Sequence, residues 1–133
     1  MCRRGAIASF QCRSFRFALE ILAFHRKLLT NPNVPRHVAY QLCRAGIAIG
    51  ANLEEAKAAY SRRDLAARYT IGLREARECL YWLRLLTADQ PETGRDTEPL
   101  IEAADQLVAV LTATVRKLRD APDACRASPT SRT

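Results

Sequence analysis

The run Gln41-Leu42-Cys43-Arg44-Ala45-Gly46-Ile47-Ala48-Ile49-Gly50-Ala51-Asn52-Leu53-Glu54-Glu55-Ala56 decides the fold. Across it and its flanks, Val38, Leu42, Ala45, Ile49, Leu53, Ala56 and Tyr60 recur at about 3.5 residues, the interval of a helix burying one seam among other helices. A second stripe, Cys43, Ile47 and Ala51, lies on the same segment, and from Ala45 to Ala51 every face is small or apolar. A lone bundle covers about one face of each member helix. The second stripe therefore predicts a contact with another copy of the chain, with Cys43, Ile47, Gly50 and Ala51 as interface candidates and Trp82 joining them from the next helix. Gly46 and Gly50 each cost about 1 kcal/mol against Ala in a helix interior. Close approach of another backbone compensates for that cost. Asn52 has two readings: a buried hydrogen-bonding device that fixes register, or a residue on a wet face.

Outward toward the N-terminus, Pro35 suits the first turn of this helix, and Asn31-Pro32-Asn33 reads as the turn before it. Ser14 is a suitable N-cap for a first helix that carries Phe15, Ala18, Leu19 and Leu22, with a parallel stripe of Phe17, Ile21, Phe24 and Leu28. Residues 1–13 then read as a flexible leader. Toward the C-terminus, Ser61 and Asp64 form a capping-box variant. They open a helix whose stripe is Leu65, Tyr69, Leu73, Ala76, Leu80 and Leu83, and Asp64 precedes Arg68 by four in the favourable order. Pro91 and Gly94 mark Asp89 to Arg95 as a loop, and Pro99 suits the start of a fourth helix carrying Leu100, Ala104, Leu107, Leu111, Val115 and Leu118. Residues 121–133 read as a disordered tail. Four helices with short connections, over residues 14–120, predict an all-α, antiparallel up-and-down four-helix bundle.

The chain has 133 residues and a net charge of +7. Residues 1–88 hold 15 basic and 6 acidic side chains, a balance of +9, whereas residues 89–133 hold 6 and 8, a balance of −2. Only three of the cations are Lys. Arg makes planar, forked contacts with phosphate and carboxylate, so a nucleic acid or an acidic protein fits the composition. The five cysteines include no C-x-x-C pair and are odd in number, which excludes a disulfide framework and favours a reducing cytoplasm. No stretch approaches the roughly 18–20 apolar residues of a membrane span.

Chemistry is sparse. A di-iron bundle uses Glu-x-x-His pairs, yet neither His25 nor His37 has a Glu three residues earlier. No zinc spacing, nucleophile with a visible base, or Gly-rich phosphate loop is present. No cofactor, metal or small-molecule substrate is expected, and no enzymatic activity. The distinctive polar feature is Arg74, Arg77, Tyr81 and Arg84, spaced three, four and three on the third helix. Interleaved Arg and Tyr can hold a phosphate backbone and stack a base. Arg62 and Arg63 join them at the helix start, where the backbone also favours anions. The competing reading is salt bridging, with Glu75 and Glu78 on the same helix and Glu54 and Glu55 on the one before.

The quoted run, with Ser61-Arg62-Arg63-Asp64-Leu65 and Ile71-Gly72-Leu73-Arg74-Glu75-Ala76-Arg77-Glu78-Cys79-Leu80-Tyr81-Trp82-Leu83-Arg84-Leu85-Leu86, resembles the bacterial four helix bundle protein family, also called the rRNA intervening-sequence protein family. Ser14-Phe15-Arg16-Phe17-Ala18-Leu19 is similar to the family's first helix. Ala45 and Ala48 stand where the family often has small hydroxyl residues, and Leu65 where Phe is common. The resemblance implies a cyclic homopentamer with a central channel. It also implies a setting near RNA, since some members are encoded within insertions in large-subunit rRNA genes. A related branch, the accessory variability protein of diversity-generating retroelements, binds a reverse transcriptase and nucleic acid through a basic surface. The expected function is therefore a non-catalytic, homo-oligomeric RNA- or ribonucleoprotein-associated adaptor. The alternative is a protein-interaction scaffold that binds no nucleic acid.

Overall fold

The seam read in the quoted run is the inner face of one helix, which runs Arg36–Ala56 (α2). In it Leu42, Ala45, Ile49, Leu53 and Ala56 are buried. A computed structural model of the chain describes residues 6–121, with side-chain surroundings from residue 10 onward. Three further helices surround the seam: α1, Ala6–Leu28; α3, Arg62–Asp89; and α4, Gly94–Asp120. Each packs on its predecessor along its length, and the described residues form an antiparallel four-helix bundle without strands. The α1–α4 seam is thinner. It is clamped by Lys27 to Asp96 at 3.0 Å and by Arg13 donating to the Gln106 side chain at 3.3 Å. A cleft of about 330 Å³ opens along it beside Glu20, Phe24, Pro99 and Leu100.

The expected stripes supply the core. Phe17, Ile21, Phe24 and Leu28 from α1 meet Tyr69, Leu73, Ala76, Leu80 and Leu83 from α3 and Leu100, Ala104, Leu107, Leu111 and Val115 from α4. Of the two α1 stripes, the parallel one enters the core, whereas the one named first does not: Phe15 and Leu19 are exposed, and Ala18 and Leu22 are half-buried. Tyr60 departs from the α2 seam. The helix ends at Ala56, and Tyr60 stands in the linker, 88% exposed.

Two helix starts differ from expectation. α1 begins at Ala6, so residues 6–13 are helical rather than a leader; residues 1–5 lie outside the described residues, as does the tail from residue 122 onward. Ser14 is not an N-cap. It is buried in mid-helix, and its hydroxyl donates to the Gln11 carbonyl at 3.1 Å, a local bond that satisfies a polar group inside the α1–α2 interface. α4 begins at Gly94, five residues before Pro99. The expected loop shrinks to Gln90 and one 3₁₀ turn, Pro91–Thr93. Pro99 is tolerated because it lies near the helix start with both it and Arg95 exposed, so the carbonyl its missing N–H leaves unpaired faces water. The start of α3 is as read: Ser61 accepts from the Asp64 amide at 3.0 Å.

The glycine pair explains how closely α1 and α2 approach. A Cβ on Gly46 would meet Ile21 side-chain carbons at 2.8 and 2.9 Å, whereas one on Gly50 would meet Ser14 at an ordinary 3.5 Å. The close partner at Gly50 is thus α1 of the same chain. Ile21 is only 1% exposed and has no room to yield. Gly46→Ala is expected to destabilise the fold by about 1–2 kcal/mol, as overpacking exceeds the helix-propensity gain. Gly50→Ala is expected to be neutral or to stabilise by up to ~1 kcal/mol. Urea denaturation of the two variants checks the contrast.

Candidate nucleic-acid interface

Helical spacing puts Arg74, Arg77, Tyr81 and Arg84 on the outer side of α3, away from Leu73, Ala76 and Leu80, and all four are exposed. Arg74 and Arg84 are ten residues apart, about 15 Å of helix axis. Arg62 and Arg63 are exposed at the start of the same helix. Tyr81 is 58% exposed and meets the Trp82 ring edge-on, with centroids 5.4 Å apart. Its outward-facing ring can stack a base.

None of the four carboxylates weighed as salt-bridge partners for this row pairs with it. Glu54 pairs with Lys57 at 3.1 Å and Glu55 with Arg68 at 3.5 Å. Glu75 and Glu78 both turn toward α2, where Arg44 donates to them at 3.0 and 2.6 Å. Arg74 and Glu78, four residues apart, do not pair, because Glu78 accepts from Arg44 and from the Trp82 indole N–H at 3.1 Å. Among the described residues, Arg63, Arg74, Arg77 and Arg84 make no ion pair or hydrogen bond. The Asp64–Arg68 pair does form, at 3.4 Å.

Arg44 is the residue that sequence reasoning passed over. Its Nε also donates to the Gln41 side chain at 3.3 Å, so all three guanidinium nitrogens are engaged. The signal was a single charge bordering the apolar run from Ala45 to Ala51. Finding its role required pairing across helices, which spacing within one helix does not reveal. The hydrogen bond to Glu78 raises the Arg44 pKa above its usual value. Glu78 in turn is lowered, first by the hydrogen bond from Trp82 and then by Arg44, against the opposing effect of partial burial.

The candidate subunit-contact residues divide. Ile47 is 40% exposed and Ala51 is exposed. Cys43 is half-buried against the core, and Trp82 is half-buried and held within the chain by Glu78. Asn52 does not reach another helix; its amide donates to the Ala48 carbonyl at 2.8 Å. Exposed large apolar side chains occur on α1 (Phe15, Leu19), α2 (Tyr40, Ile47) and α3 (Ile71, Tyr81, Leu85), and on none of the described residues of α4. Cys43 and Cys79 are free thiols, with Cys79 pushed up to about 12 by burial. Cys12 is disulfide-bonded, a departure from the reduced set expected. Among the described residues, no cluster of His, Cys, Asp and Glu suits a metal, and no helix is long and apolar enough to cross a membrane.

The family model of the 23S rRNA-intervening sequence protein matches residues 10–113. The chain belongs to that family. Its match spans all of α2 and α3, and so includes Arg44 and the whole arginine row. A solved structure of similar shape is a Bacteroides thetaiotaomicron protein of unknown function from the S23 ribosomal protein family. It is 31% identical, with a TM-score of 0.73, and the match covers 80% of this chain and 98% of that one. No curated protein matches.

The lowered Glu78 has a measurable consequence. A carboxylate depressed in the folded state contributes stability that is present above its unfolded pKa and is lost as pH falls through the folded one. Trp82 is the only tryptophan, and its indole bonds to this carboxylate. Its fluorescence is expected to titrate with a midpoint below 4.5, the ordinary glutamate value. Glu78→Gln is expected to abolish that transition; a midpoint above 4.5 in the native chain contradicts the geometry.

Proposed function

We propose that this member of the 23S rRNA-intervening sequence protein family is a non-catalytic, homo-oligomeric adaptor that associates with RNA or a ribonucleoprotein in the cytoplasm. One observation carries the nucleic-acid part: Arg74, Arg77 and Arg84 stand exposed in one row without acidic partners among the described residues, while the nearby glutamates pair elsewhere. Unneutralised guanidinium groups along a helix suit phosphate, and binding releases counterions from the nucleic acid. Tyr81 offers a stacking surface beside them, and Arg62 and Arg63 extend the basic surface to the helix start. Each engaged arginine contributes about −0.7 to the slope of log affinity against log salt for a single strand. Replacing Arg74 and Arg77 together by Ala is expected to flatten that slope by about 1.4. Filter binding of single-stranded RNA across a salt series measures it; wild-type binding that ignores salt ends the nucleic-acid reading.

The exposed apolar side chains of α1, α2 and α3 support self-association, which buries surface that a lone bundle leaves in water. A ring of five copies is the assembly proposed, with Ile47 and Ala51 in the contact. A reverse transcriptase is the proposed protein partner of the assembled ring. Ile47→Glu is expected to reduce the species seen by light scattering at micromolar concentration to a single chain with unchanged helicity. A wild-type protein that is already a single chain defeats the oligomer.

The alternative is a protein scaffold whose arginines clasp neighbouring copies or an acidic partner. Arg77→Glu separates the two: assembly lost favours the scaffold, and assembly intact with RNA binding lost favours the adaptor.

A further inference from the structure

Glu78 lies four residues after Arg74 on α3, the spacing at which an acid and a base on one helix ordinarily meet. They do not meet here, because Glu78 is held by Arg44 on α2 and by Trp82 on its own helix. One oxygen of Glu78 accepts both the Arg44 Nη2 at 2.6 Å and the Trp82 Nε1 at 3.1 Å, which fixes the carboxylate toward α2. Glu75 is drawn the same way by the Arg44 Nη1 at 3.0 Å. With its Nε on Gln41, Arg44 has every nitrogen committed within the chain and is poorly placed to take a phosphate itself.

We propose that Arg44 is a positioning residue for the nucleic-acid surface: by holding Glu75 and Glu78 against α2, it keeps the Arg74, Arg77 and Arg84 row free of neutralising carboxylates. The inference rests on the nucleic-acid reading above and gives it a device that sets its strength. Freed from Arg44, Glu78 swings to Arg74, and one phosphate-binding cation is quenched.

The test uses the full chain and a fluorescently labelled single-stranded RNA of mixed sequence, with anisotropy read across a potassium chloride series. Arg44→Gln is expected to weaken binding about threefold and flatten the salt slope by about 0.7, the share of one phosphate contact. Loss of a positive charge alone also weakens binding, so two double variants with the wild-type net charge decide the matter. Arg44→Gln with Glu78→Gln removes the carboxylate that would quench Arg74 and is expected to restore binding to within about twofold of wild type. Arg44→Gln with Glu102→Gln removes instead an exposed carboxylate on α4 and is expected to stay as weak as the single variant. Should the glutamine variant fail to fold, Arg44→Lys keeps the charge but lacks the fork that spans two carboxylates, and it too is expected to flatten the slope. Salt-dependent wild-type binding with the two double variants indistinguishable overturns the role of Arg44 alone. Wild-type protein without salt-dependent binding overturns the nucleic-acid reading beneath it.

Discussion

The Arg44 guanidinium ties α2 to α3 at two carboxylates at once. Arg44 reaches from α2 to Glu75 and Glu78 on α3, and Glu78 also takes the Trp82 indole N–H. The planar fork of Arg suits this task, because its nitrogens meet separate acceptors without changing rotamer. About two-fifths of the Arg44 side chain is exposed, so its effect on overall stability is small. Its effect on surface charge is larger. The two carboxylates closest to the α3 arginines are turned away, and the outer side of α3 is left positive.

The same region shows what sequence can and cannot carry. Periodicity was enough for α2 and α3, where Leu42, Ile49, Leu53, Leu73, Leu80 and Leu83 all lie in the core. It failed at the starts of α1 and α4 for a shared reason. Ser14 and Pro99 are residues that usually begin helices, yet both sit inside one here, because tertiary packing can tolerate a buried hydroxyl and an early proline. The glycine pair was recognised as a site of close approach, and what approaches is α1 of the same chain, through the Ile21 side chain at Gly46 and through Ser14 at Gly50. The arginine row was legible as a row. Its freedom from partners was not, because that depends on where Glu54, Glu55, Glu75 and Glu78 turn in three dimensions.

Charge and greasiness are segregated around the bundle. Exposed apolar side chains gather on α1, α2 and α3, while α4 carries Glu98, Glu102 and Asp105 outward with no large exposed apolar group among its described residues. This matches the sequence's division into a basic first part and a mildly acidic second one. If copies associate through their apolar faces, α4 remains in solvent, and its carboxylates discourage further stacking of like faces.

The α3 helix then has to serve two surfaces. Ile71 and Leu85 belong with the apolar side chains, whereas Arg74, Arg77 and Arg84 belong with the basic ones, and Tyr81 suits either. Burying an unpaired guanidinium in a subunit contact costs several kcal/mol unless a carboxylate meets it. Because the row lacks partners among the described residues, it favours a position at the rim of any assembly, where phosphate or water can solvate it. Apolar contact and exposed arginine are thus compatible on one helix only if the row borders the interface without entering it. Arg44 serves that arrangement from within, since the carboxylates it holds on α2 would otherwise neutralise the row before any partner arrived.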